Sequence, residues 1–363
     1  MNPYHALLRA SDPLDTSPPP PDWWKRWRAL ADFERLAPLL WRKLLADGGM
    51  PPNTAADELR ELTTRAIIEQ RMGHHWLKRF SERLTSTGKQ VMLLKGAAFN
   101  GWLYEENAPR RSVDIDLLAR AEDFDAIERL LLETHDVVLI DPRRRLTHRD
   151  LFERMYRPRC EPGIIVELHR DLTNPGLYRI DHAALWRASQ AHPTYPADQM
   201  RMPSREHALL NLAIHAARNR CFDDYGLLDA WRLICLAEPD WRLLETQATK
   251  WGARAPLYLL LRAVGQCWPQ ARLDDVIRRL RPSAARRYLL KNLLTTTPRD
   301  GRLHQLAAQL ALSDRLRGVL RFQLAYLLTR AGDALTAIAP FRQDAAGRDA
   351  HDIDSSNPDD GRR

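Results

Sequence analysis

From Trp23, Trp24 and Trp27 onward, apolar residues return every three or four positions to about residue 45, the spacing of one buried helix face. Gly48-Gly49 and Pro51-Pro52 break the run. Residues 54–85 resume it with Leu59, Leu62, Ala66, Met72, Trp76, Leu77 and Phe80, which predicts one long amphipathic helix. Trp and Met at this spacing are core residues rather than a binding box. Ahead of these helices, residues 1–22 end in Pro18-Pro19-Pro20-Pro21 and are expected to form a disordered arm.

The period changes at Gly88. Val91-Met92-Leu93-Leu94, bounded by Lys95-Gly96, is a short apolar run that predicts a buried strand, with a helix expected over residues 97–105. Residues 113–118 alternate apolar and acidic, the mark of a strand with one polar face. Phe124, Ile127, Leu130 and Leu131 predict a helix over 123–132, and residues 137–140 and 164–169 are strand-like. Arg143-Arg144-Arg145 and Pro158 fall in the connection between those two strands.

Beyond Pro203 the pattern is almost wholly helical. Ser204 is placed to cap a helix carrying Leu209, Leu212, Ala213 and Ala216, and Leu227, Leu228, Trp231 and Ile234 form the next stripe. Further helices are expected near 240–265, 270–280, 283–295, 301–312 and 314–332, with no fixed repeat between them. The fold class is therefore α+β: a small mixed β-sheet core with N-terminal helices and a C-terminal helical domain. The expected boundaries are a disordered arm (1–22), an N-terminal helical region (23–87), the α+β core (88–200), a C-terminal helical domain (201–340) and a disordered tail (341–363), the last rich in Asp, Gly and Ser.

Composition narrows the function classes. The chain has 363 residues, 44% hydrophobic and 28% charged, which suits a folded soluble body and excludes collagen-like and disulfide-stapled proteins. Cys160, Cys221, Cys235 and Cys267 form no CxxC pair, so neither a zinc knuckle nor a disulfide framework is expected, and the thiols suit a cytoplasmic location. No apolar run is long enough for a membrane span, and Asp12, Asp15 and the prolines interrupt any signal peptide. The net charge of +8 permits steering of anionic partners such as nucleotides. No basic aromatic sheet or GxxG clamp accompanies it, so sequence-specific DNA binding is not expected.

The specific chemistry lies in Leu93-Leu94-Lys95-Gly96-Ala97-Ala98, in Arg110-Arg111-Ser112-Val113-Asp114-Ile115-Asp116-Leu117-Leu118, and in Ile165-Val166-Glu167-Leu168-His169. In a strand, Asp114 and Asp116 share one face while their apolar neighbours take the other. Two carboxylates so placed are costly without a counter-charge, and a hard divalent cation supplies one. Glu167, phased with Ile165 and His169 on a second apolar strand, is the natural third carboxylate. A DxD in a strand is common on its own; a Gly-containing strand–helix turn before it and an acid-bearing strand after it make the pattern specific.

These motifs resemble the uncharacterised bacterial nucleotidyltransferase family of the DNA polymerase β-like superfamily, over roughly residues 25–235. The resemblance implies transfer of a nucleoside monophosphate from a nucleoside triphosphate, ATP among the candidates, with Mg²⁺ or Mn²⁺. It makes Asp114, Asp116 and Glu167 the catalytic, metal-holding acids and Gly96 the turn glycine that admits the triphosphate. Lys95-Gly96-Ala97 lacks the Ser that often contacts the phosphates, and Lys95 takes that place. Lys95, Arg110 and Arg111 are the candidates for the triphosphate, with a solvated or Asp-paired arginine as the alternative.

His169 would orient a carboxylate, touch substrate or simply fill the core, and His215, in line with Asn211 and Asn219, would close the cleft from the helical side. Asp229 suits an internal ion pair or a cap. The acceptor, whether small molecule, protein or tRNA, is left open. So are two further readings, a non-catalytic nucleotide- or metal-binding scaffold and a metal-dependent phosphohydrolase.

Overall fold

The computed structural model describes residues 3–12, 14–15, 23–30, 33–48, 53–112, 114–133, 137–140, 152–161, 163–174, 176–196, 198–219, 226–294, 302–324 and 327. The tail expected over 341–363 and the triple-arginine run lie outside these residues.

Four helices come first: α1 (Pro3–Ala10), α2 (Trp23–Trp27), α3 (Phe33–Asp47) and α4 (Asn53–Thr85). Within the arm expected over 1–22, residues 3–10 are helical, and residues 16–22 lie outside the described residues. Leu7 and Leu8 are fully buried in the main core, and just beyond the helix Asp12 accepts the Trp231 indole N–H at 2.7 Å. Two buried leucines and a buried hydrogen bond hold this segment despite the proline run that follows it.

The central segment holds β1 (Val91–Leu94), α5 (Lys95–Phe99), β2 (Asp114–Ala119), α6 (Phe124–Glu133), β3 (Val137–Leu139), β4 (Glu153–Pro158), β5 (Ile165–His169), α7 (His182–Arg187), β6 (Gln190–Ala191) and β7 (Met200–Met202). The strands form one seven-stranded mixed sheet in the order β3-β4-β5-β2-β1-β7-β6. β2 runs antiparallel to β1 and parallel to β5, so the expected acidic strands are neighbours at its centre. β7 pairs parallel with β1 and carries the sheet to residue 202, past the core boundary expected at 200.

α5 is shorter than the helix expected over 97–105. Asn100 is extended, Gly101 adopts φ +83, and the Asn100 side chain is committed elsewhere: it accepts from the Arg110 backbone N–H at 3.0 Å and donates to the Arg110 carbonyl at 3.1 Å. The chain leaves the helix to bracket the loop that precedes β2.

The C-terminal part contains α8 (Arg205–Asn219), α9 (Gly226–Ala237), α10 (Trp241–Trp251), α11 (Arg254–Cys267), α12 (Ala271–Leu280), α13 (Ala284–Leu294) and α14 (Arg302–Leu312). Ser204 accepts from the His207 N–H at 3.4 Å at the start of α8, as its position suggests. The single helix expected over 240–265 is two, because Gly252 turns left-handed at φ +76 and closes α10. α8 packs on α5, α9, α10 and α11, and most of its apolar residues join the same core as the sheet. No helix among the described residues is long and apolar enough to cross a membrane.

Candidate active site

The parallel register of β2 and β5 places Asp116 opposite Glu167 and Leu118 opposite His169. Alternation then brings the three polar side chains to one face. His169 Nε2 lies 2.9 Å from Asp116 Oδ1 and 3.4 Å from a Glu167 oxygen. One ligand atom from each of Asp116, Glu167 and His169 falls within 4.8 Å of the others, a spacing one ion can span. Asp114, one pleat earlier, stands outside that group and accepts the Ser112 hydroxyl at 3.1 Å.

Lys95 supplies a cation to this cluster. Its Nζ is 2.7 Å from Asp116 Oδ1, across the β1–β2 pair in which Leu94 faces Asp116. Burial works to lower the Lys95 pKa, but the Asp116, Asp114 and Glu167 carboxylates outweigh it and raise it, so one ammonium feels all three acids. Burial likewise works against the charged form of Asp116, yet Lys95 and His169 hold its carboxyl well below the usual range. Lys95 also takes a left-handed φ of +46, where a side chain costs on the order of 1–3 kcal/mol. The strain sits where strand β1 must turn at once into α5 while its Lys side chain reaches back to β2.

His169 is 3% exposed. Burial disfavours its charged form, but hydrogen bonds to Asp116 and Glu167 prevail and raise its pKa to about 9. Its Nδ1 faces Glu153 of β4 at 3.6 Å, and Glu153 is in turn held by Arg218 of α8 at 3.0 Å. With a folded pKa above the ordinary 6.5, His169 lends stability that is complete below about pH 6.5 and lost as pH rises through about 9. Thermal melts of the metal-free protein are expected to fall across that window. His169→Gln should melt lower at pH 6 but flatten the dependence; an equally steep decline in the variant would contradict the charged His169.

Gly96 lies directly against two side chains. A Cβ there would stand 2.5 Å from Ser112 Oγ and closer still to Arg110 Nη1. Its missing side chain lets those two groups lie directly on the turn. Gly96→Ala is therefore expected to cost about 1–3 kcal/mol by overpacking, read as a lowered denaturant midpoint, and to displace Arg110.

Arg110 is buried and bound on several sides. Its Nε meets Asp229 oxygens at 2.7 and 2.9 Å, Tyr104 donates to the same carboxylate at 2.7 Å, and Nη1 lies 3.4 Å from Ser112 Oγ. Asp229, at the start of α9, is fully buried and is the internal ion-pair partner that its place in an apolar helix suggested. Arg111 is held by Glu69 of α4 at 2.7 Å and Glu34 of α3 at 3.1 Å. Both arginines are thus acid-paired. His215 of α8 accepts from the Asn219 amide at 3.0 Å and lines a cavity of about 120 Å³ with Lys95, Arg110, Asp114 and Asp116. Burial, reinforced by Lys95 and Arg218, pushes its pKa down to about 3, which keeps it neutral.

The structure thus brings Asp116, Glu167, His169 and Lys95 into contact and sets Asp114, Arg110 and His215 beside them; Arg111 is anchored to the N-terminal helices. Sequence reasoning missed Glu153. No local signal marks it, since Glu153–Pro158 carries charges and a proline, and only the β4–β5 register, which pairs Glu153 with His169, identifies it.

A mixed sheet bearing acids on adjacent central strands, a Lys-Gly strand–helix turn and a helical C-terminal part thus frame a candidate metal site. Residues 20–269 match the family model described as uncharacterised nucleotidyltransferase, and the chain belongs to that family. No curated protein matches its sequence.

Proposed function

We propose that this protein transfers a nucleoside monophosphate from a nucleoside triphosphate to a hydroxyl-bearing acceptor and releases pyrophosphate. The observation that carries this reading is the pairing of Asp116 with Glu167 on parallel neighbouring strands, in a chain of this family. The donor set fits Mg²⁺ or Mn²⁺. Two carboxylates supply hard oxygen ligands, and Asp114 adds a third oxygen donor on the same face. His169, backed by Glu153 at its other ring nitrogen, would join as a nitrogen ligand once deprotonated. A divalent ion held there would neutralise charge around the α-phosphorus and acidify the acceptor hydroxyl.

The protein's own groups supply the rest. Lys95, in the field of all three acids, would be free to pair with a phosphate oxygen if the acids held a metal. Arg110, held by Asp229 through Nε and lying against the Gly96 turn with Nη1 near Ser112, is the arginine nearest the acids to contact phosphate. Neutral His215 offers a hydrogen bond from the opposite wall without adding charge.

A second reading, a structural acid cluster with no turnover, draws on one observation: Lys95 and His169 already neutralise Asp116. A screen of the purified protein with the four NTPs and Mg²⁺ or Mn²⁺ separates them. Pyrophosphate release, with a mass gain of one nucleotide on a small-molecule, protein or tRNA acceptor, supports transfer. Absence of metal binding by calorimetry supports the structural cluster.

A further inference from the structure

We infer that the larger of two cavities meeting at Asp114 is a nucleoside site, holding the base and ribose of the triphosphate while the smaller cavity holds its phosphates; this rests on the nucleotidyl-transfer reading above. The larger cavity, about 490 Å³, opens between α4, α5 and the loop before β2, and lies within the usual range for small-molecule sites. Both cavities are lined by Arg110, Ser112 and Asp114. In a nucleoside triphosphate the α-phosphorus lies between nucleoside and pyrophosphate. The junction of the two cavities, at the first acid of the DxD strand, is where that atom belongs.

The two linings differ in the way the two ends of a nucleotide differ. The small cavity sets Arg35, Lys95 and Arg110 against Asp114 and Asp116, an excess of one positive charge, with His215 held neutral. In the large one, three carboxylates (Glu69, Glu106, Asp114) are matched by three arginines (Arg71, Arg110, Arg111), with Arg111 tied to Glu69. A balanced lining suits an uncharged group rather than a polyphosphate. The Tyr195 and His74 rings line it, 5.2 Å apart and joined by a 3.0 Å hydrogen bond, an aromatic surface of the kind on which bases stack. Gln70 also lines it, and its side-chain amide has no hydrogen-bond partner among the described residues, leaving a donor and an acceptor for a base edge.

Gly73 keeps the cavity open. Glycine inside a long helix such as α4 is unfavourable, and the fold does not demand it here. A Cβ would meet only Ile115 Cδ1, at an ordinary 3.7 Å. What the missing side chain protects is the space.

Calorimetry with Mg²⁺ on wild type and Gly73→Leu tests this, using the four NTPs, their nucleosides and inorganic tripolyphosphate as probes. In wild type the preferred NTP is expected to bind at least about tenfold more tightly than tripolyphosphate. In Gly73→Leu that advantage should vanish while tripolyphosphate binds as before. Gln70→Ala, which adds no bulk, should reduce the same advantage and reorder the preference among bases, so a Leu variant that fails to fold does not remove the test. An NTP advantage that survives both substitutions overturns the proposal. So does a wild type that binds tripolyphosphate as tightly as any NTP, an outcome that leaves the transferase reading standing. A nucleoside bound by wild type but not by Gly73→Leu, with no triphosphate bound by either, upholds the cavity and overturns the transferase reading.

Discussion

Asp116→Asn is expected to abolish metal-dependent transfer, lowering it by several orders of magnitude, because charge neutralisation about the α-phosphorus is the largest contribution the site can make. The same substitution is expected to lower the melting temperature of the metal-free protein. From sequence alone the opposite follows, since three clustered acids repel one another and loss of one should be neutral or stabilising. The structure reverses the sign. Lys95 at 2.7 Å and His169 at 2.9 Å place two cations against this single carboxylate, and its removal leaves both facing a neutral amide in a buried site. Breaking such an arrangement from one side costs about 3–5 kcal/mol. Melts without metal, run beside label transfer, check both halves; a variant as stable as wild type would contradict the ion-paired cluster.

Asp229→Asn carries the second large effect. Asp229 is fully buried and receives Tyr104 and the Arg110 Nε. Loss of its charge strands a guanidinium in the core, a destabilisation of about 3–5 kcal/mol. Because Asp229 also sets the direction of the Arg110 Nη edge, a binding defect should accompany the instability, read as a raised KM for NTP at a temperature where the variant is folded. Asp229→Glu, which keeps the charge, should recover part of the stability. If KM stays at the wild-type value in the folded Asn variant, Arg110 is a structural arginine and its phosphate role falls.

Much of the site was legible because strand alternation is a local rule. Asp114 and Asp116 on one face, Glu167 and His169 on another strand and the Lys-Gly turn all follow from residue order. What was not legible depends on which strands become neighbours. Glu153 reaches His169 only through the β4–β5 register, and the cations that neutralise Asp116 come from the first residue of α5 and from β5. The glycine of the turn also makes room for other parts of the protein. Its contacts are with Ser112 and Arg110, two side chains far along the chain that no pattern around residue 96 reveals. In the fold, the helical stripes located their elements well, while ends fixed by a single backbone conformation were misplaced, as at Asn100 and Gly252. His74 and Gly73, unremarkable on a long helix, gain meaning only beside Tyr195 and Ile115.

The most direct measurement follows two labels on the same nucleotide. With Mg²⁺, NTP labelled separately at the α- and γ-phosphorus is incubated with wild type, with Asp116→Asn and with an acceptor mixture of small hydroxyl compounds, protein and tRNA. The expected result is α-label on an acceptor and γ-label in pyrophosphate, from wild type only. Release of γ-label as orthophosphate would make the protein a phosphohydrolase, and equal transfer by Asp116→Asn would contradict the metal-holding role of that carboxylate.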